Sequence, residues 1–342
     1  MHEHGSSRGR CRILPVLPGF SRVEGMELVR GAHNLHDRHR PCVATIGNFD
    51  GIHRGHQAVI ESLHAAGRRL GLPTTVILFE PQPREFFRPD QAPGRILRLR
   101  DKLRVLRGLG VERTLCLRFD ARLAAEPAED FIQRLLVDAL GVRFLMVGDD
   151  FRFGHRRRGD FAMLREAADR QGFELERMPT VSYGDARVSS TRIREALAQG
   201  DLQTAEAMLG RRLRISGRVV RGQALGRELG WPTANIRFGQ HPPPMRGIFN
   251  VAVHGLGEIR PGVASLGTRP TVNGIETLLE TYLLDFSGDL YGRTIDVEFL
   301  AWQRGEERFD GLEALKEQIA ADVSAARAWF DSHDDLKDNT AG

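Results

Sequence analysis

Apolar and amphipathic stretches alternate along the first half of the chain. Five short runs are continuously hydrophobic and rich in β-branched residues, as expected for strands buried on both faces of a parallel sheet. The segments between them carry apolar residues at helical spacing, and several end in glycine. The pattern predicts a Rossmann-like α/β unit with an open parallel sheet. The predicted strands are 42–47, 73–79, 111–117, 142–148 and 173–178, and the predicted helices are 55–71, 99–110, 128–141 and 160–172.

The pattern changes after Gly210. Runs of strand-forming residues at 215–220, 248–253, 277–286 and 293–302 are separated by Gly, Pro and Asn turns. We expect no helix among them before a long helical pattern at 311–330. The second half is therefore predicted to be an antiparallel β-barrel or sandwich closed by one long helix.

These patterns divide the 342 residues into two domains and two tails. The regular pattern of apolar and polar residues begins after Met26, and either Met1 or Met26 could be the natural start. The predicted parts are a disordered extension 1–25, an α/β domain 26–210 with a helical junction 191–209, a barrel domain 211–332 and a frayed tail 333–342.

Composition and apolar segments bear on where the protein works. Two prolines interrupt the apolar stretch 13–20, and no apolar run approaches the ~20 residues that span a bilayer. The three cysteines, Cys11, Cys42 and Cys116, have no Cys-x-x-Cys spacing, which fits a reducing compartment and argues against a zinc knuckle. We therefore expect a cytoplasmic protein without a membrane partner.

The net charge of +4 is carried almost entirely by arginine, because only three of the 49 basic residues are lysines. Arginine suits phosphate, although genome composition also explains the bias. A mild positive charge is weak support for nucleic-acid binding, which we do not expect. The oligomeric state is left open.

The stretch TIGNFDGIHRGHQAVI at 45–60 joins the first predicted strand to the first helix. His53 and His56 lie at the helix N-terminus, where free N–H groups and a partial positive charge favour an anion. Gly47 and the other glycines of the loop allow the backbone to approach a ligand closely. The bland alternative is a helix cap with two solvated histidines. The strand, glycine loop and helix together favour phosphate binding over zinc.

Two further stretches of the first half carry candidate chemistry. In VSSTRIREAL, at 188–197, hydroxyl residues cap a helix whose first turn contains Arg194, which makes sense if an anion sits there. In VGDDFRFGHRRRG, at 147–159, Asp150 could bond a polar heterocycle and Phe151 could stack on it. Solvated arginines and a mobile basic loop are the respective alternatives. The segment 79–87 could line the same crevice or simply stiffen a loop.

The second half offers two candidates. Thr233 and Asn235 are two residues apart, so they face one side of an extended backbone, and their oxygens suit Mg²⁺. Glu280 lies on the same face of a predicted strand as several apolar residues. A carboxylate at such a position needs either a partner of opposite charge or a functional role. From these residues alone, an internal pair with an arginine such as Arg293 is the favoured interpretation of Glu280.

The ordered set of motifs resembles the bacterial bifunctional riboflavin kinase/FAD synthetases. The match covers roughly 26–330, and each motif is weak alone but specific in this order. The motifs are GNFDGIHRGH, FEPQPREFF, VGDDFRFG, SSTRIR, LGWPTAN, RPTVNG, LLDFSGDLYG and RFDGLEALKEQIAAD.

The resemblance implies an N-terminal FMN adenylyltransferase and a C-terminal riboflavin kinase. It implies ATP as co-substrate, riboflavin, FMN and FAD as substrates or products, and Mg²⁺ as the metal. Asp150 and Phe151 would help hold flavin, Thr233 and Asn235 would bind Mg-ATP, and Glu280 would be the catalytic base. The implied ATP-binding residues of the first half are Gly47, Phe49, Asp50, His53, His56, Ser190, Thr191 and Arg194, with the two histidines also catalytic.

Three residues, Gln82, Phe249 and Tyr282, depart from the pattern expected for such proteins, and Tyr282 is close enough to Glu280 to alter flavin affinity or turnover. Two other functions remain as alternatives. One is a nucleotidyltransferase for another phosphate-bearing metabolite, which would leave the second half unexplained. The other is a non-catalytic flavin- or nucleic-acid-binding module, which would form no pyrophosphate.

Overall fold

A computed structural model describes residues 25–222, 225–239, 241–271 and 274–333. The predicted extension, apart from Gly25, and the predicted tail, apart from His333, lie outside the described residues. Ten helices and fourteen strands are named here. They are β1 Glu27–Arg30, β2 Cys42–Ile46, α1 Arg54–Leu70, β3 Thr74–Glu80, α2 Pro83–Phe87, α3 Leu99–Gly108, β4 Arg113–Arg118, α4 Ala121–Ala125, α5 Ala128–Phe131, β5 Val142–Val147, α6 Phe161–Gln171, β6 Glu174–Arg177, β7 Ser182–Tyr183, β8 Ala186–Arg187, α7 Ser190–Ala198, α8 Leu202–Leu209, β9 Arg214–Arg218, α9 Leu225–Glu228, β10 Thr233–Arg237, β11 Gly247–Leu256, β12 Glu258–Thr271, β13 Gly274–Leu283, β14 Thr294–Arg304 and α10 Leu312–Asp331.

The first half is the predicted parallel α/β sheet. Its six strands lie in the order β1-β4-β3-β2-β5-β6, and every pair is parallel. All five predicted strands are present, and the predicted helices are confirmed. The last turns of the one predicted at 128–141 are a π-helix, Ile132–Ala139. The edge strand β1 was not predicted, because four residues are too short to establish a period.

The second half is a six-stranded antiparallel sheet in the order β10-β13-β12-β11-β14-β9. A bridge between Val220, just after β9, and Asn235 of β10 brings the two edges together, so the sheet is nearly closed into a barrel. The four predicted strands are confirmed, whereas β10 and β12 were missed. The expectation that no helix precedes 311–330 is wrong, because the short helix α9 lies between β9 and β10.

Two helices, α7 and α8, form the junction, where one helical run was predicted. Gly200 lies between them with a φ of 74°, a left-handed conformation that ends the first helix. One apolar cluster extends from the sheet through Ile193 and Leu209 of the junction to Ile236 and Phe249 of the barrel. The two halves therefore share a continuous core.

Polar contacts also join the halves. The Asp101 carboxylate on α3 accepts a hydrogen bond from the buried backbone N–H of Ser216 on β9, at 3.2 Å. On the same helix, Arg104 pairs with Asp296 of β14 at 2.5 Å. Helix α3 is thus fixed against the barrel while it supports the sheet.

Candidate active sites

The loop between β2 and α1 lies at the carboxyl edge of the parallel sheet, as predicted. We call residues 47–53 the nucleotide loop, after the role that the sequence motif predicts. His53 is the N-cap of α1, and its side chain accepts a hydrogen bond from the backbone N–H of His56. The two imidazoles stack with ring centroids 3.7 Å apart. No backbone carbonyl of the described residues accepts a bond from the N–H of Ile52 or His53. The loop can therefore donate N–H groups to an anion.

Both histidines are neutral near pH 7. Burial, with the charge of Arg187 nearby, lowers the pKa of His53 to about 4. Burial and the neighbouring His53 lower the pKa of His56 well below its usual value. Because Nδ1 of His53 accepts a bond, its proton belongs on Nε2. Nδ1 of His56 is buried without a hydrogen-bond partner among the described residues. These rings can donate single hydrogen bonds but carry no charge.

The structure joins the first and second predicted stretches through Asp50. This carboxylate is buried and accepts bonds from Arg194 at 2.5 Å and from the backbone N–H groups of Ile96 and Leu97. The Ser190 hydroxyl donates to the backbone carbonyl of Asp50 at 2.9 Å. The hydrogen-bonding capacity of the Asp50 carboxylate is therefore taken up by protein donors, and Asp50 links the nucleotide loop to α7. Thr191 remains exposed beside it.

A cavity of about 720 Å³ opens near the ends of β3, β4 and β5. Segments 79–87 and 147–159 both contribute to its wall, as predicted, and Phe151 stacks on Phe153 there. The exposed Asp150 does not line it. Phe119, Leu123 and Phe131 were missed. Phe119 could have been found, because it directly follows a strand, as Phe79 ends one. Five arginines line the cavity: Arg84, Arg88, Arg152, Arg156 and Arg157.

The barrel holds a second cavity of about 270 Å³ beneath α10, and Glu280 lines it together with Thr233 and Tyr282. Glu280 pairs with Arg269. The expected internal pair with an arginine is therefore present, but its partner is Arg269 rather than Arg293. Arg269 lies on the adjacent strand β12, which was not predicted. Burial raises the pKa of Glu280, and the Arg269 charge opposes that rise. A carboxylate with a raised pKa can accept a proton.

Strand pairing places Asn235 opposite Glu280 and Thr233 opposite Tyr282, so the four side chains share one face of the barrel wall. Asn235 is buried and its amide N–H donates to the Thr233 carbonyl. Its side-chain oxygen has no hydrogen-bond partner in the described part of the chain. This oxygen is therefore free to accept a hydrogen bond or to coordinate a cation. No group of three His, Cys, Asp or Glu side chains suited to a metal occurs among the described residues.

The three departures fall in different places. Tyr282 lines the barrel cavity, as its proximity to Glu280 predicted. Gln82 caps α2. Phe249 is buried in the barrel core, edge-on to Phe299 with 5.1 Å between ring centroids. Of the three, only Tyr282 faces a candidate site.

No helix in the described ranges is long and apolar enough to span a bilayer.

Two family models match the chain, one for each half. The FAD synthetase model matches residues 35–192, and the riboflavin kinase model matches residues 209–330. The fold and these matches define the class: a two-domain transferase of flavins and nucleotides.

Relatives match over nearly the full length. The chain is 53% identical to a bifunctional riboflavin kinase/FMN adenylyltransferase of Pseudomonas fluorescens, over 89% of this chain and 97% of the relative. It is 52% identical to one of Escherichia coli strain K12, covering 89% and 98%. A Streptococcus pneumoniae crystal structure described as a macrolide-efflux protein superposes with a TM-score of 0.72 at 29% identity, covering 89% of this chain and 99% of that one. The chain belongs to the bifunctional riboflavin kinase/FMN adenylyltransferase family.

Proposed function

We propose that the barrel half transfers a phosphoryl group from ATP to riboflavin, and that the α/β half then transfers an adenylyl group from ATP to FMN. The first reaction yields FMN and ADP, and the second yields FAD and pyrophosphate. The observation that carries this proposal is the match of each half to one of the two transferase models, in one chain. The two candidate sites lie on separate folds, which suits two reactions with different acceptors, a hydroxyl group and a phosphate group.

Phosphorylation of riboflavin needs a base, because the ribityl hydroxyl is a weak nucleophile. Glu280 is the candidate: it lines the barrel cavity and burial raises its pKa. It would accept the hydroxyl proton as the oxygen attacks the γ-phosphate, and one positioned base contributes ~10²–10⁴-fold. Arg269 would hold the carboxylate in place.

Adenylyl transfer makes a different demand, because the FMN phosphate is already an anion. It needs alignment with the α-phosphate and neutralisation of developing charge. The nucleotide loop offers free N–H groups and two neutral imidazoles, with Gly47 and Phe49 at its start. Ser190, Thr191 and Arg194 would border the phosphates from the side of α7. The flavin ring would occupy the aromatic cavity beside Phe151.

We assign Mg²⁺ to the barrel site, where it would bind together with ATP. The fit rests on the orphaned side-chain oxygen of Asn235 and the Thr233 hydroxyl, both hard oxygen donors of the kind that Mg²⁺ prefers. When bound, the ion would neutralise charge on the transferred phosphate. The protein residues would fix its position on the wall that carries Glu280.

The test is a product assay with riboflavin, ATP and Mg²⁺, in which chromatography resolves riboflavin, FMN and FAD. The wild-type protein should form FMN and then FAD with pyrophosphate. Glu280→Ala should lose riboflavin phosphorylation by about 10²-fold or more while still converting supplied FMN to FAD. A combined His53→Ala and His56→Ala variant should do the reverse. Binding of flavin without pyrophosphate release would instead favour the non-catalytic alternative.

A further inference from the structure

The backbone of the nucleotide loop adopts unfavourable conformations that other groups must stabilise. Phe49, Gly51 and Ile52 all lie in the left-handed region, with φ values of 47°, 85° and 42°. Such conformations are energetically unfavourable for non-glycine residues and are rarer still for a β-branched residue. They persist only when surrounding groups fix them. The loop therefore needs external supports.

Arg211 stabilises this loop, and the proposed reactions assign it no role. One guanidinium nitrogen donates to the Gly51 carbonyl at 2.6 Å, and the other donates to the Ile52 carbonyl at 2.9 Å and the Leu209 carbonyl at 3.2 Å. No carboxylate of the described residues pairs with this group, and burial alone lowers its pKa to about 10. A charged guanidinium is thus committed to backbone carbonyls, two of them in the nucleotide loop.

This arrangement orients the loop toward a ligand. In a planar trans peptide the carbonyl and the following N–H point in opposite directions. Drawing the Gly51 and Ile52 carbonyls toward Arg211 therefore turns the N–H groups of Ile52 and His53 the other way. These N–H groups meet no backbone carbonyl among the residues that the structure describes. The guanidinium charge behind them adds to the field that favours phosphate.

Arg211 reaches the loop from the second half of the chain. Helix α8 ends at Leu209, and Gly210, with a left-handed φ of 72°, separates it from Arg211. The Gln57 side chain on α1 bonds the same Leu209 and Ile52 carbonyls, at 2.7 and 2.9 Å. Arg211 falls inside the span 209–330 matched by the riboflavin kinase model.

We propose that Arg211 is a positioning residue for adenylyl transfer: through it, the start of the kinase half shapes the ATP-phosphate loop of the other half. This inference rests on the proposed function of the two halves. It implies that a substitution in the kinase half should impair use of ATP in FAD synthesis without touching riboflavin phosphorylation.

The experiment uses the full-length chain and three variants. Arg211→Met keeps an unbranched stem and removes all three hydrogen bonds, Arg211→Lys restores a cation, and Arg212→Met is the control. Arg212 is the adjacent arginine and pairs instead with Glu206 and Glu298. For each protein, KM for ATP and KM for FMN are measured in adenylyl transfer, and the rate of riboflavin phosphorylation is measured separately.

Arg211→Met should raise KM for ATP in adenylyl transfer by roughly ten- to a hundredfold, the loss of one or two charge-assisted hydrogen bonds. KM for FMN and the rate of riboflavin phosphorylation should stay within about threefold of the wild-type values. A threefold change corresponds to less than about 1 kcal/mol. Arg211→Lys should recover part of the ATP affinity, and Arg212→Met should match the wild type.

An unchanged KM for ATP in Arg211→Met, with FAD still formed, would overturn the inference and leave the proposed function standing. So would a parallel fall of both reactions in Arg211→Met and Arg211→Lys, because that pattern indicates only loss of folded protein. Wild-type protein that forms FMN but no FAD would overturn the proposed adenylyl transfer, and this inference with it.

Discussion

His53 shows how one residue can serve a site at the expense of stability in acid. It is only 7% exposed, and its pKa is lowered from 6.5 to about 4. The unfolded chain therefore binds more protons than the folded chain between these two values. The free energy of unfolding then rises with pH across that window, and the contribution is lost as pH falls from 6.5 toward 4. At neutral pH the ring is an uncharged hydrogen-bond donor.

The corresponding prediction compares wild type with His53→Gln. Between pH 7 and pH 4.5 the wild type should lose about 2 kcal/mol more unfolding free energy than the variant, because glutamine does not titrate. Urea unfolding at the two pH values measures this difference. His33→Gln, an exposed histidine in the same half, is the control and should lose as much as the wild type. Equal losses in all three proteins would contradict a buried neutral His53.

Individual residues also mark where sequence reasoning succeeds and fails. The placement of His53 and His56 at a helix start was predictable, because glycines, a preceding apolar run and helical spacing are all local signals. The partner of Glu280 was not predictable, since Arg269 is eleven positions away and becomes its neighbour only through strand pairing. The saturation of Asp50 by Arg194 likewise depends on a contact 144 positions apart.

At the scale of elements, α10 is the piece that closes the barrel cavity. It is held by a bidentate pair in which Arg304 of β14 donates to both carboxylate oxygens of Asp322, at 2.8 and 2.7 Å. Gln318 on the same helix donates to Asp322 as well. Asp322 is buried and lines the cavity with Arg304. Removing one partner of such a pair leaves a poorly solvated charge.

Asp322→Ala should therefore lower the unfolding free energy of the barrel half by about 3 kcal/mol and raise KM for riboflavin in the kinase reaction. Conversion of supplied FMN to FAD should be nearly unchanged, because no residue of α10 is among those that line the aromatic cavity. Thermal unfolding and the two separate rate assays measure these effects. Glu317→Ala, an exposed carboxylate on the same helix, is the control and should behave as wild type. An intact kinase KM in Asp322→Ala would contradict the anchoring role.

Elements were predictable where their pattern was long or continuous. The buried strands β2, β3 and β5 read as apolar runs, and α1 and α10 as clear helices. The missed strand β10 is short and follows a Trp-Pro pair, and β12 contains two prolines and two glycines that lower its strand propensity. The barrel supplies their partners by hydrogen bonding, which a single segment does not reveal. The short helix α9 has only four residues and no helical period.

For the molecule as a whole, the parallel sheet, the junction and the barrel share one apolar cluster, yet each half keeps its own cavity. The shared core and Arg211 fix the halves to each other. Phosphorylation and adenylyl transfer are nevertheless proposed to take place at different sites. FMN made in one site must therefore leave it before it enters the other, whether in the same chain or in another.

Mixing two variants that each lack one of the two reactions tests the separation of the sites most directly. Glu280→Ala and the combined His53→Ala and His56→Ala variant are each incubated with riboflavin, ATP and Mg²⁺, alone and together, and FAD is followed by chromatography. Alone, neither should form FAD from riboflavin. Together, they should form FAD after a lag in which FMN accumulates, because one protein supplies the kinase site and the other the adenylyltransferase site. No FAD in the mixture, although each variant retains its own remaining reaction, would contradict two separate sites connected by free FMN.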